Sequence, residues 1–225
     1  MISWEHIDSA PTPGGGEALR LMRRGRDYTI FLGRDELMSS RLTGSEEALA
    51  ALTLQATKPG RRRSILIGGL GMGFTLRAAL ALCGPDDQIV VAELVPAVVR
   101  WARGPIAGIH AGSLDDPRVS VHVGDVGQLI RKSPRTFDAI LLDVDNGPQG
   151  MVHKDNDLIY GGSGLAAARA ALRQGGVLSV WSAGPDEAFR TRLGRQGFSV
   201  EEHRVHASRS RRGSKHVIWL ARVAG

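Results

Sequence analysis

The tightest constraint on this fold is one turn. Gly68-Gly69-Leu70-Gly71-Met72-Gly73 lies between an apolar run at residues 64–67 and a helical pattern at about 74–82. Glycines are needed where a chain turns tightly and its backbone must come close to a ligand. The same alternation then continues. Apolar runs at 88–92, 119–123, 137–142 and 177–181 read as strands. Between and after them, 96–103, 164–172 and 185–195 read as helices. Strands that are apolar throughout and spaced by helices predict a parallel sheet covered on both faces. The final runs, 198–205 and 216–223, have no helix between them, which predicts an antiparallel hairpin.

Upstream, TPGGG at 12–16 reads as a loop, followed by short β-rich runs at 18–23 and 28–32 with a turn near Gly25. A third run at 36–40 precedes Ser45-Glu46-Glu47, an expected helix start. This divides the chain into an N-terminal β-arm, 1–43, and a Rossmann-like domain, 44–225. A length of 225 residues suits one sizeable core and is short for two full domains. The first ten residues, MISWEHIDSA, have neither the basic nor the apolar region of a secretory leader. No apolar run reaches the roughly 18 residues that a membrane span needs. Cys83 is the single cysteine, so a disulfide within the chain and a cysteine metal cluster are both excluded. The expectation is a cytoplasmic protein with no membrane partner. Its net charge of +6 is concentrated rather than spread, because residues 204–216 hold five basic residues and no acid.

The ligand site follows from spacing. The GxGxG pattern followed by the large Phe74 suits S-adenosylmethionine better than NAD, whose fingerprint needs a small residue there. Gly68, Gly69, Gly71 and Gly73 are the expected backbone contacts. Glu93 ends the second strand of the alternating region twenty residues after Gly73, where a carboxylate can accept from a ribose diol. Asp125 ends the next strand and is placed to meet an adenine amino group, with the Val126 N–H reaching a ring nitrogen. All three elements fall at the carboxyl ends of strands, where ligands bind in such sheets. The fold expected is thus α/β, a Rossmann-like class I methyltransferase fold with a mostly parallel seven-stranded sheet.

On these residues the chain resembles the spermidine synthase family, which shares that fold. The likeness runs through the β-arm, SEEALA, LIGGLGMGFTLRAAL, AELVPAVVRWAR, DPRVSVHVGD, FDAILLDVDNGPQG and ALRQGGVLSVWSAGP. The resemblance implies that Glu93 holds ribose, Asp125 holds adenine, and Asp143 matches the first acid of the family's DxxDPxGP motif. Three departures stand out. The family's GGGDGG turn carries an amine-binding Asp where this chain has Gly71. Its Tyr-His after the acidic pair corresponds to Ala50-Ala51, behind Glu46-Glu47. The catalytic motif is shortened to Asp143-Val144-Asp145-Asn146-Gly147-Pro148. A polyamine cation needs acidic and aromatic partners, so these losses favour methyl transfer from intact S-adenosylmethionine, with S-adenosylhomocysteine as product. Aminopropyl transfer from decarboxylated S-adenosylmethionine is the alternative. Further alternatives are a nucleic-acid-binding or modifying protein and a non-catalytic cofactor-binding protein.

For chemistry, Asp143 and Asp145 are the candidate bases and Asn146 a candidate for orienting the acceptor. His153 and Tyr160 lie in the following segment, expected to fold over a substrate. Against this, Asp143 can instead bind the cofactor's ammonium, Asp145 can cap a turn, and His153 can be a solvated loop residue. Trp181 is either a pocket wall or core. His153, Asp155 and Asp157 alternate but match no familiar metal spacing, so no metal is expected. The acceptor is expected to be a small molecule, an anionic one being recruited by Arg209, Arg211 and Arg212 at the tip of the closing hairpin. The competing reading is a solvated tip. A homodimer is open alongside a monomer.

Overall fold

The computed structural model describes residues 2–13, 15–58, 62–144, 156–210 and 213–223. Their strands form two sheets. The first is a four-stranded antiparallel sheet of β1 (Glu5–Ala10), β2 (Leu19–Arg24), β3 (Asp27–Leu32) and β4 (Asp35–Ser39), in that order. β1 is largely polar and has no run of alternating apolar residues to announce it. It is held by pairing with β2, through a register shift between His6 and Asp8. Asp8 also accepts a 2.6 Å hydrogen bond from the Trp101 indole, which ties this sheet to the larger one's helical layer.

The second sheet has seven strands. They are β5 (Ser64–Gly68), β6 (Gln88–Glu93), β7 (Val119–Val123), β8 (Phe137–Leu142), β9 (Leu172–Ser182), β10 (Phe198–His206) and β11 (Lys215–Val223). Their spatial order is β10-β11-β9-β8-β5-β6-β7, with β5 to β9 mutually parallel and β11 antiparallel to both of its neighbours. This is the expected architecture. It also makes β10 run with the parallel strands, so the hairpin tip stands at their carboxyl edge.

Alternation along each inner strand supplies two cores, because successive side chains point to opposite faces. Ile65 and Ile67 of β5, Ala139 and Leu141 of β8, and Ile218 and Leu220 of β11 enter one cluster. Leu66, Ile140, Leu142, Val217 and Trp219 enter the other. Helices cover both faces: α1 (Gly44–Ala56), α2 (Phe74–Leu82), α3 (Pro96–Arg103), α4 (Ala107–His110), α5 (Val126–Arg131), α6 (Asn156–Tyr160), α7 (Gly162–Ala171) and α8 (Glu187–Arg195). The sequence pattern misses α4 and α5, both too short to show a helical period. It also starts β9 five residues late. Gly175 and Gly176 lie inside β9, where the register with β8 shifts between Phe137 and Ala139. No helix among the described residues is long and apolar enough to cross a membrane.

Strand order reverses between β5 and β8, and a crevice opens there at the carboxyl ends of the strands. The two strands are stitched beyond their last residues by the Asp143 N–H, which donates to the Gly68 carbonyl at 2.9 Å.

Candidate active site

Two cavities meet at this crevice. The first is walled by the glycine turn (Gly69, Gly71), by Glu93 to Val95 after β6, and by Gly124 to Val126 after β7. Leu19, Ile30 and Leu37 of the β-arm add an apolar side, and Asp143 and Val144 close the end. Glu93 is buried, and backbone fixes it: Oε2 accepts from the Leu70 N–H at 2.9 Å and Oε1 from the Val95 N–H at 2.8 Å. The carboxylate therefore pins the glycine turn to the end of β6. Gly69 is in the left-handed region at φ +91°, and a Cβ there would stand 2.2 Å from the Asp143 carbonyl oxygen. Only glycine lets β8 come that close. Asp125 caps α5, its Oδ1 accepting from the Gln128 N–H, and Arg131 lies 3.7 Å away. The Val126 side chain is buried in the core below.

The second cavity shares Leu37, Met38, Gly71 and Asp143 with the first. It adds Glu36 and Leu42 from the arm, Glu46 from the first turn of α1, Trp181 from the end of β9, and His216 from the start of β11. Its described lining contains three carboxyl groups and neither Lys nor Arg. Thr75 donates to Asp143 Oδ2 at 2.6 Å, and Ser45 donates to Glu46 Oε2 at 2.8 Å. Burial pushes the Asp143 carboxyl up to about 6, despite the Thr75 hydrogen bond. Burial, and then the neighbouring Asp143 charge, push Glu46 up to about 7. These are the marks of two acids sharing a partly dehydrated space. His216 contacts Ser45 Oγ through Nδ1 at 2.9 Å and meets the Trp181 ring edge-on, with centroids 4.7 Å apart.

The expected residues distribute unevenly over this geometry. Gly69, Gly71, Glu93, Asp125, Val126 and Asp143 converge on the first cavity, Gly73 lines the second, and Gly68 lies beneath the turn at the end of β5. Trp181 is a cavity wall. Tyr160 is not: its ring is buried against Phe189, and its hydroxyl donates to the Val144 carbonyl at a long 3.4 Å. The expectation that it folds over a substrate is corrected, because α6 directs this ring into the core. Asp145, Asn146, His153, Asp155, Arg211 and Arg212 lie outside the described residues. Among the described residues, no cluster of three His, Cys, Asp or Glu side chains is arranged to hold a metal.

In the basic hairpin segment, the Arg209 guanidinium is paired with Glu47 on α1. An acidic cavity without a described cation on its wall does not fit an anionic acceptor. Sequence reasoning missed Glu46 and His216. SEEALA signals a helix start, and its Glu46-Glu47 entered only as the acidic pair ahead of Ala50-Ala51; His216 is brought in only by the pairing of β11 with β9.

A Rossmann-like sheet with a ligand crevice at its switch point and a closing antiparallel hairpin defines the class I methyltransferase fold. Within that class, residues 43–187 match the spermine/spermidine synthase domain, and the chain belongs to that family. It is 30% identical over 193 residues to a polyamine aminopropyltransferase of Mycobacterium tuberculosis, covering 82% of this chain and 35% of that protein. It is 30% identical over 213 residues to polyamine aminopropyltransferase 1 of Hyperthermus butylicus, covering 91% of this chain and 67% of that one. The chain thus spans about a third of the mycobacterial relative's length. The spermidine synthase of Thermotoga maritima superposes with a TM-score of 0.77 at 19% identity, over 96% of this chain and 72% of that one. The family and its curated relatives overturn the expectation of methyl transfer. The physical reason lies in the second cavity. Losing an acid at Gly71 and polar groups at Ala50-Ala51 does not strip the site of charge, because Glu36, Glu46 and Asp143 remain on its wall.

Proposed function

We propose that this chain transfers an aminopropyl group from decarboxylated S-adenosylmethionine to a small amine, as the names of its relatives suggest. The observation that carries this reading is the acidic second cavity, which opens onto the first at Gly71 and Asp143. A desolvated ammonium needs anionic partners, and an anion would be repelled there.

In this reading the adenosine portion occupies the first cavity. Glu93 accepts from its ribose hydroxyls, held in position by the Leu70 and Val95 N–H groups. Asp125 and the Val126 N–H meet adenine. The amine enters through the second cavity and attacks the propyl carbon bonded to sulfur. A C–N bond forms as the C–S bond breaks, and the sulfonium becomes the neutral thioether methylthioadenosine. The proton leaving nitrogen passes to Asp143. A carboxyl raised toward neutrality is a better base than an ordinary aspartate, and Thr75 keeps it aimed.

The test is to incubate the protein with decarboxylated S-adenosylmethionine and a linear four-carbon diamine, and to follow both products by mass spectrometry. The expected outcome is amine-dependent release of methylthioadenosine together with the aminopropylated diamine. No product with that diamine or with longer polyamines would overturn the reading.

A further inference from the structure

We propose that an arginine-lined cleft at the amino edge of the seven-stranded sheet binds a phosphate dianion, either free or as the head of a small monoester. The cleft lies between the turn before β8, the last turn of α7 and the start of β9. Arg135, Arg169 and Arg173 stand on its wall, and no acid does among the described residues. β8 starts beside the cleft and ends next to Asp143. At roughly 3.3 Å per residue, the strand puts about 20 Å between the cleft and both cavities of the candidate active site. The proposal is therefore independent of the transferase reading.

Like charges gathered on one wall repel, so each of the three needs a reason to be there. The fold accounts for one. Arg173 Nη1 donates to Asp138 Oδ2 at 2.7 Å, and the same oxygen accepts from the Ser64 N–H at 2.8 Å. That anchors one corner of the guanidinium and leaves its other N–H groups for a further acceptor. Arg135 and Arg169 have no ion pair among the described residues. The Arg169 guanidinium lies across Gly197, with Cζ 3.6 Å from where a Cβ would stand, a contact that places the group without neutralising it. The end of α7 does not call for these cations either. Its Ala170 and Ala171 carbonyls already accept from the Arg135 and Thr136 N–H groups, at 2.9 and 2.8 Å.

A second observation is the backbone of Arg135. Its φ is +49°, in the left-handed region where a side chain is strained. Glycine takes such positions elsewhere in the chain, as at Gly69 and Gly73. An arginine here costs stability, and what it adds is a guanidinium on the cleft wall. Three guanidiniums less the Asp138 carboxylate leave a formal charge of two on this group of residues. A phosphate monoester is close to a dianion at neutral pH. Guanidinium forks match its oxygens two at a time. Pro134, Leu172 and Val223 give the cleft an apolar side, against which the carbon part of an ester can lie.

Calorimetric titration with inorganic phosphate and with ribose 5-phosphate tests the assignment, at low ionic strength and with excess methylthioadenosine to keep both probes out of the first cavity. The wild type should bind at least one of them with a Kd of about 1 mM or tighter. R135G removes one guanidinium and relieves the backbone, so it should melt no lower than the wild type. Its phosphate affinity should fall about tenfold, as expected when a charged donor is lost. R135G/R169Q should show no binding, and R209Q, in the distant hairpin, should bind as the wild type does. Tighter binding of ribose 5-phosphate than of phosphate names the ester as the ligand; otherwise the free ion is. Absence of binding to the wild type would overturn the proposal, as would equal affinities of wild type and R135G. A loss in R209Q as large as that in R135G would also sink it, by showing attraction to net charge and not to a site. Should the double variant fail to fold, R135G decides alone.

Discussion

Asp87 and Asp143 flank strands of the same sheet and meet opposite fates. Asp87 stands at the amino edge, just before β6. Arg63 closes it with Nη2 at 2.6 Å, Nε at 2.9 Å and its backbone N–H at 2.7 Å, and the Gly84 N–H adds a fourth bond at 2.8 Å. Burial alone would raise this carboxyl, but those partners outweigh it and hold it below the usual range. Asp143 stands at the carboxyl edge with one hydroxyl donor and another acid nearby, and burial raises it. The protein supplies a cation where the acid serves the fold. Among the described residues, none lines the cavity that the other acid faces.

The contrast breaks most readily at Asp143. Asp143→Asn keeps the shape and removes the base, so kcat for the amine-dependent reaction should fall roughly 10²–10⁴-fold with the melting temperature little changed. A loss under tenfold would contradict the role. At the other edge, Arg63→Ala strands a buried carboxylate and should cost about 3 kcal/mol in denaturant unfolding, while affinity for methylthioadenosine stays as it was. Glu93→Ala should weaken methylthioadenosine by roughly 1–3 kcal/mol in calorimetry, since a charged acceptor is lost and the turn is unpinned. Wild-type affinity in that variant would remove Glu93 from the site. The smallest effect concerns pH. Glu46 is raised from 4.5 to about 7, so the folded state holds its proton where the unfolded chain has released it. Its contribution to stability therefore declines as pH rises through that window. E46Q should be the more stable protein near pH 7, by on the order of 1 kcal/mol, and should lose less between acid and neutral pH. Asp87, being lowered, works in the opposite sense. Its contribution is present above the unfolded value and fades as pH falls through the lower folded one.

What the sequence discloses divides along the same line. The glycine turn, Glu93 and Asp125 are each strand-end features at fixed offsets, and local pattern is enough to find them. The parallel sheet and its closing hairpin are legible for the same reason. Glu46, Met38, Trp181 and His216 come from four elements scattered along the chain, and only the strand order brings them together. Composition alone did not locate the charge: in the basic segment 204–216 Arg209 is engaged by Glu47, and the cavity nearby is lined by acids. Gly71 and Ala50-Ala51 read as losses of function when taken one at a time. Ala50 is a core residue facing Leu49's cluster, and Gly71 lies under Met38.

The placement of β11 bears on how the protein is made. Residues 215–223 do not add to the rim of the sheet but slot between β9 and β10, both synthesised before them. Until that stretch has left the ribosome, β9 lacks its partner on one side and Trp219 is absent from the core it shares with Phe189. His216 arrives with the same strand, and the Ser45 contact beside Glu46 with it. Translation stalled before residue 215 thus leaves a chain whose glycine turn can already exist while its acidic cavity still lacks a wall. Nascent chains of increasing length should acquire methylthioadenosine binding before they acquire any preference for amines.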